Sequence, residues 1–311
     1  PVAKVLPEFA NTGVFVGGGG DTPFVTRPPA TPMRMIDLLR HTSGLTYSFQ
    51  ERSNIDAAYR KAGFERFDGG TIDEFVSKVA ALPLEFDPGT AWNYSIATDI
   101  LGAVIERLSG QSLSDYFAAH IFAPLGMVDT RWWVQGSDAS RLAALYVPNP
   151  ATGKALRYDA MGDTALSAPA LLSGGGGLVS TAGDYARFTQ MLLRGGELDG
   201  ARVIGPRTLR YMTRNHLPGG AYLATIGRGM FAESVFDGVG FGLGFSVTAE
   251  PVATKVTSSA GEFAWGGYAS TAFWVDPVEQ LTVEFYTQLV PSSTYPVRTE
   301  LRQLVQAALV D

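Results

Sequence analysis

The sequence predicts an α+β fold, with a mainly helical region over residues 1–239 and an antiparallel sheet with a terminal helix over 240–311. Two patterns carry that expectation. Apolar residues at Ile100, Leu101, Val104, Ile105 and Leu108 recur with the helical period, and segments of this kind fill the first part of the chain. From Phe241 onward the runs 241–248, 271–275 and 281–286 are rich in aromatic and β-branched residues. Helices first and strands afterwards argue α+β rather than a doubly wound sheet, in which the two would alternate.

Taken in chain order, Gly17 to Gly20 and the Pro-rich Arg27-Pro28-Pro29-Ala30-Thr31-Pro32 read as a surface loop. A helix is expected over 35–40, stopping near Gly44. Thr71-Ile72-Asp73-Glu74 has capping-box spacing, the threonine hydroxyl bonding the Glu74 amide and the glutamate reaching back, so it opens a helix ending near Leu82. The helix after Tyr94 should be closed by Gly110. Ser112 caps the next, to Ile121; Thr181 caps one running to Leu193; and Pro206 suits a first helical turn, where its missing amide costs nothing. Asp276-Pro277-Val278-Glu279 marks a turn joining the last two strands as an antiparallel hairpin, and Pro296 opens a final helix with Val297, Leu301, Leu304 and Leu309 apolar.

Composition removes several functions. Hydrophobic residues make up 46% and charged residues 17% of the 311, an ordinary globular balance. The formal net charge is −6 with no long basic run, which argues against a nucleic-acid partner. There is no apolar stretch long enough for a membrane-spanning helix. With no cysteine, thiolate metal sites and a cysteine nucleophile are absent, and the three histidines, His41, His120 and His216, are too scattered to suggest a metal centre. No cofactor is expected. The lack of cysteine is compatible with a reducing compartment; localisation stays open, the cytoplasm being the favoured expectation. Pro1-Val2-Ala3-Lys4-Val5-Leu6-Pro7 has neither an initiator methionine nor a signal-peptide pattern, and reads as the interior of a longer chain.

Four segments are candidates for chemistry. Tyr94 stands at the mouth of the long amphipathic helix, where the positive end of the dipole and free amides favour a phenolate, one route to a tyrosine base; a packed tyrosine is the alternative. Gly266 and Gly267 after Trp265 let a ligand approach the backbone, with the following amides available to an oxyanion; alternatively they mark a bulge where a helix crowds the sheet. The run Ser173-Gly174-Gly175-Gly176-Gly177 lacks the G-K-[ST] of a phosphate loop and reads as a place where two elements pass closely, with one wall of a pocket as a further role. His41 and Ser43, neighbours in Arg40-His41-Thr42-Ser43-Gly44, are not a plausible catalytic pair, because triads are assembled from distant segments; His41 is expected to bond the last carbonyls of its helix.

Together these segments resemble family VIII carboxylesterases, which share the serine β-lactamase and penicillin-binding-protein fold. The likeness rests on Leu38-Leu39-Arg40-His41-Thr42-Ser43-Gly44-Leu45, on Tyr94-Ser95-Ile96-Ala97-Thr98-Asp99-Ile100-Leu101-Gly102, on Pro124-Leu125-Gly126-Met127, on Gly176-Gly177-Leu178-Val179-Ser180-Thr181-Ala182, and on Trp265-Gly266-Gly267 followed by Phe273-Trp274-Val275-Asp276-Pro277. It spans essentially the entire chain. It implies a serine hydrolase acting on a small-molecule ester through an acyl-enzyme, with Tyr94 as catalytic base and Trp265, Gly266, Gly267, Tyr268 and Ile96 around the substrate, the Tyr268 amide serving as an oxyanion donor. Trp265 stands where penicillin-recognising relatives carry a cation, and Ile96 where they carry an asparagine.

The family's nucleophile is the serine of Ser-x-x-Lys, and no such motif occurs in these 311 residues. The serine, its lysine and the first strands of the sheet are therefore expected upstream of residue 1, or on a second polypeptide segment. The alternatives are an acyltransferase on the same scaffold, a D-peptidase or β-lactamase, and a non-catalytic binding relative.

Overall fold

The computed structural model describes residues 1–64, 69–228 and 237–309. They form two compact units: one drawn from 1–64, 69–117, 169–177 and 216–228, the other from 118–168, 178–215 and 237–309.

The first unit is helical around an apolar core. Its first element corrects an expectation: Gly17 to Gly20 is not a loop but part of a hairpin, β1 (Val14–Gly19) paired antiparallel with β2 (Thr22–Arg27). Glycine permits it. The register shifts twice along the pair, and at Gly18, with φ of 79°, a Cβ would lie 2.1 Å from the Pro23 carbonyl oxygen. The helices α1 (Met35–Leu39), α2 (Asn54–Ala62), α3 (Ile72–Ala80), α4 (Ala97–Ser109) and α5 (Leu113–Phe117) follow. The predicted capping box is present: Thr71 Oγ1 accepts the Glu74 amide, and Glu74 accepts the Thr71 amide at 2.9 Å. Gly110 closes α4 in the left-handed region, as expected.

The buried face of α4 is not the whole predicted stripe. Ile100 and Val104 are buried with Ala97, Asp99, Gly102 and Ala103, whereas Leu108 is 69% exposed. The last turn has run past the core formed by Leu6, Leu38, Leu45, Ile55, Val76 and Ile96, so burial there is no longer on offer. Each fully buried aliphatic side chain in that core contributes about 1.5–3 kcal/mol. A short strand β3 (Trp92–Asn93) pairs in parallel with Gly227–Arg228.

The second unit holds a small hairpin, β4 (Tyr146–Pro148) with β5 (Ala155–Arg157), the helices α6 (Ala182–Leu193) and α7 (Pro206–Met212), and the main sheet. Thr181 caps α6 and Pro206 opens α7, both as predicted. The expected strand 241–248 is two strands, β6 (Val239–Phe241) and β7 (Ser246–Thr248), because Gly242 to Gly244 turn the chain, with Gly244 at φ of 105°. After them come β8 (Phe263–Gly266), β9 (Ala272–Asp276) and β10 (Leu281–Phe285), and the order is β10-β9-β8-β7-β6, antiparallel throughout. The β9–β10 hairpin turns where predicted, with Asp276 Oδ1 accepting the amides of Val278 at 2.9 Å and Glu279 at 3.1 Å.

Strand alternation explains the layers. Phe273 points to α6, its ring 5.5 Å from that of Tyr185. Trp274 points to the other face, where Arg302 of the terminal helix α8 (Val297–Ala308) lies 4.9 Å over its ring and pairs with the buried Glu262. The apolar positions expected to bury α8 do so only partly, since Leu304 remains 69% exposed. Among the described residues no helix is long and apolar enough to cross a membrane, and no group of three or more His, Asp or Glu side chains is placed to hold a metal ion.

Candidate active site

In the first unit, α1 ends in a reversal that sets the surroundings of Tyr94. Asp37 accepts the Arg40 guanidinium at 3.0 Å and the Thr42 hydroxyl at 3.1 Å, fixing the turn. His41 adopts the left-handed region with φ of 55°, its amide donates to Leu38, and its carbonyl accepts the Asn93 amide at 2.9 Å. The expectation for His41 thus holds for its backbone but not for its ring. The imidazole is buried, with Nδ1 3.3 Å from the Ser95 hydroxyl, and burial pushes its pKa down to about 3.

That neutral ring forms one side of a cage around Tyr94. The phenol ring lies 4.9 Å from His41, 5.2 Å from Tyr47 and 6.4 Å from Trp92, and Gln50 Nε2 donates to the Tyr94 carbonyl at 3.1 Å. Tyr94 is half-buried, three residues before α4 begins. A group so held keeps its position while part of it stays accessible, which is what proton transfer to a bound substrate demands. Ile96, expected at the substrate, is a correction: its side chain is fully buried in the core and presents no surface.

The glycine run passes α4 as predicted. A Cβ on Gly174 would lie 2.4 Å from the Thr98 carbonyl oxygen and 3.2 Å from Gly102 Cα. Asp99, in the first turn of α4, ties the run down by accepting the Ser173 hydroxyl at 2.5 Å and the Gly175 amide at 3.0 Å. Burial raises the pKa of Asp99. Ser43 is fully buried and accepts the Leu45 amide, so it is no nucleophile candidate.

In the second unit, Trp265 and Gly266 end β8, in unbroken register opposite Phe273 and Ala272. There is no bulge. The crowding helix is real, however: a Cβ on Gly266 would meet the Arg298 guanidinium of α8 at 2.4 Å. The Trp265 ring meets Phe241 edge-on at 5.4 Å and offers an apolar face. Tyr268 is 59% exposed and its amide has no hydrogen-bond partner among the described residues.

Sequence reasoning had not singled out Tyr47, Ser95, Asp99 or Arg298. Only Asp99 left a trace, as an acidic residue in the first turn of an otherwise apolar helix face.

The family model described as Beta-lactamase matches residues 1–307. The chain belongs to the beta-lactamase family. It is 30% identical to Esterase EstB of Burkholderia gladioli, over 99% of this chain and 75% of that protein, and 32% identical to Protein Rv1367c of Mycobacterium tuberculosis, over 94% and 71%. Among solved structures, EstCE1, described as a hydrolase with promiscuous acyltransferase activity, superposes with a TM-score of 0.77 at 24% identity, covering 98% of this chain and 76% of that one. The fold is accordingly β-lactamase-like, and relatives that carry it are named as esterases.

Proposed function

We propose that the protein cleaves small carboxylic esters by two-step acyl transfer, with Tyr94 as base and with the serine and lysine of a Ser-x-x-Lys motif supplied by a segment preceding residue 1. The observation that carries this reading is the setting of Tyr94, a half-buried tyrosine braced by three rings. The upstream serine oxygen attacks the ester carbonyl while its proton passes to the base formed by Tyr94 and the lysine. The tetrahedral oxyanion is assigned to the serine's own amide and the unpaired amide of Tyr268. Collapse breaks the ester C–O bond, and the leaving alkoxide takes the proton back. Water, or an acceptor alcohol in an acyltransferase, then repeats the sequence on the acyl-enzyme. Trp265 lends the substrate an apolar wall in place of a cation.

Fluorophosphonate labelling of the active full-length enzyme, read by mass spectrometry, tests the assignment. The label is expected on a serine upstream of residue 1. A label within residues 1–311, for instance on Ser173, would overturn it.

A further inference from the structure

Arg298 joins the turn after β8 to the helix α8. Arg298 Nη2 donates to the Gly267 carbonyl at 2.8 Å and to the Thr271 carbonyl at 3.0 Å, bridging both ends of the turn 267–271. Glycine at 266 is what admits it, since any Cβ there would strike the guanidinium. The rest of the turn is also fastened. The Gly267 amide donates to Thr271 at 2.9 Å, and Ser270, buried at φ of 66°, donates its hydroxyl to Leu289 at 2.6 Å. Among the described residues the amides of Tyr268, Ala269 and Thr271 in this stretch have no hydrogen-bond partner, and of these only that of Tyr268 belongs to the peptide group whose carbonyl Arg298 holds.

The Gly267 carbonyl and the Tyr268 N–H are the two ends of one trans peptide group and point in opposite directions. A charged donor on the oxygen draws electron density toward it and leaves the N–H more positive, so the amide donates more strongly on its far side. We infer that Arg298 is a positioning residue of the ester reaction. It holds the 267–271 turn and polarises the Gly267–Tyr268 peptide, strengthening the Tyr268 amide as an oxyanion donor. The inference rests on the reading of that amide given above.

The test uses the full-length enzyme carrying Arg298→Lys or Arg298→Met. Active sites are counted by fluorophosphonate titration, kcat and KM are measured on a short-chain nitrophenyl ester, and the carbonyl stretch of an isotope-labelled acyl-enzyme is recorded. Losing one oxyanion donor outright costs about 10²–10³ in kcat, so a weakened donor should cost about tenfold or more per active site, with less loss for lysine. KM should stay within about twofold, because the ground-state ester makes little use of the donor. The acyl carbonyl band should move to higher frequency as its hydrogen bond weakens. A purely structural role would lower Tm and the count of active sites but leave that band and the kcat per site unchanged. Values of kcat per site within about threefold of the parent overturn the inference, as does failure of both variants to fold, which assigns Arg298 to stability. A parent enzyme inert toward every ester would instead bring down the functional reading itself, and this inference with it.

Discussion

The ring of Tyr47 lies 5.2 Å from that of Tyr94, tilted by 47°, and its hydroxyl donates to the buried carboxylate of Asp99 at 3.4 Å. Tyr94 is thereby braced by a side chain that is itself anchored to the first turn of α4. The same carboxylate holds Ser173 and Gly175, so one buried group orders both the wall of the phenol's cage and the glycine run.

Tyr94→Phe in the full-length enzyme keeps the stacked ring and removes only the hydroxyl. Turnover of a nitrophenyl ester should fall by roughly 10²–10⁴, with Tm nearly unchanged. Tyr47→Phe keeps the brace but cuts it from Asp99, a hydrogen bond worth about 1 kcal/mol, so a loss of about fivefold is expected. Near-parental kcat in Tyr94→Phe would remove the tyrosine from the mechanism.

The close pass of Gly174 over α4 makes a stability prediction. Gly174→Ala places a methyl group 2.4 Å from the Thr98 carbonyl oxygen and should cost about 1–3 kcal/mol, seen as a lower urea midpoint. Gly176→Ala is the control, since its nearest neighbour would be 4.0 Å away. Equal midpoints for the two variants would show that the run yields freely.

Two buried groups in the first unit should give opposing pH dependence. His41 has its pKa pushed from 6.5 to about 3 by burial, so between those values the unfolded chain binds a proton that the folded one refuses, and acid weakens the fold. Glu85 is pushed from 4.5 up to about 7, by burial first and against the pull of Arg52, so the folded chain keeps a proton that the unfolded one has lost, and that contribution fades as pH rises through this range. Relative to the parent, His41→Asn should gain stability as pH falls from 6.5, asparagine tolerating the left-handed backbone. Glu85→Gln should gain as pH rises from 4.5. Urea midpoints at several pH values read both, and differences that do not change with pH would contradict the assignment.

Ester hydrolysis should exceed β-lactam hydrolysis by a wide margin. Trp265 presents an apolar face packed on Phe241, and Ile96 is sealed in the core, so neither supplies the polar contact a lactam would use. The charge-assisted hydrogen bond missing at Trp265 is worth about 1.5–3 kcal/mol, about tenfold or more in kcat/KM, and the neutral one missing at Ile96 about 0.5–1.5 kcal/mol. Parity between a short-chain nitrophenyl ester and a cephalosporin would refute this.

Local chemistry was readable because it is written in neighbouring residues. The capping box at Thr71 and Glu74, the Gly110 stop, the Thr181 cap and the Asp276 turn depend on hydrogen bonds spanning a few positions, and each formed as the sequence indicated. Motif order along the chain was enough to reach the family. Only the tertiary structure decided what depends on distant partners. It made a hairpin of Gly17 to Gly20, because the close approach of Pro23 needs a backbone without side chains. It left Leu108 in solvent, since helical periodicity says which face is apolar but not where the core ends. It sealed Ile96 away, turned the His41 ring toward Ser95, and set Arg298 against a glycine more than thirty positions earlier. Long-range packing rewards shape and charge brought together by folding, and spacing along the chain carries no record of it.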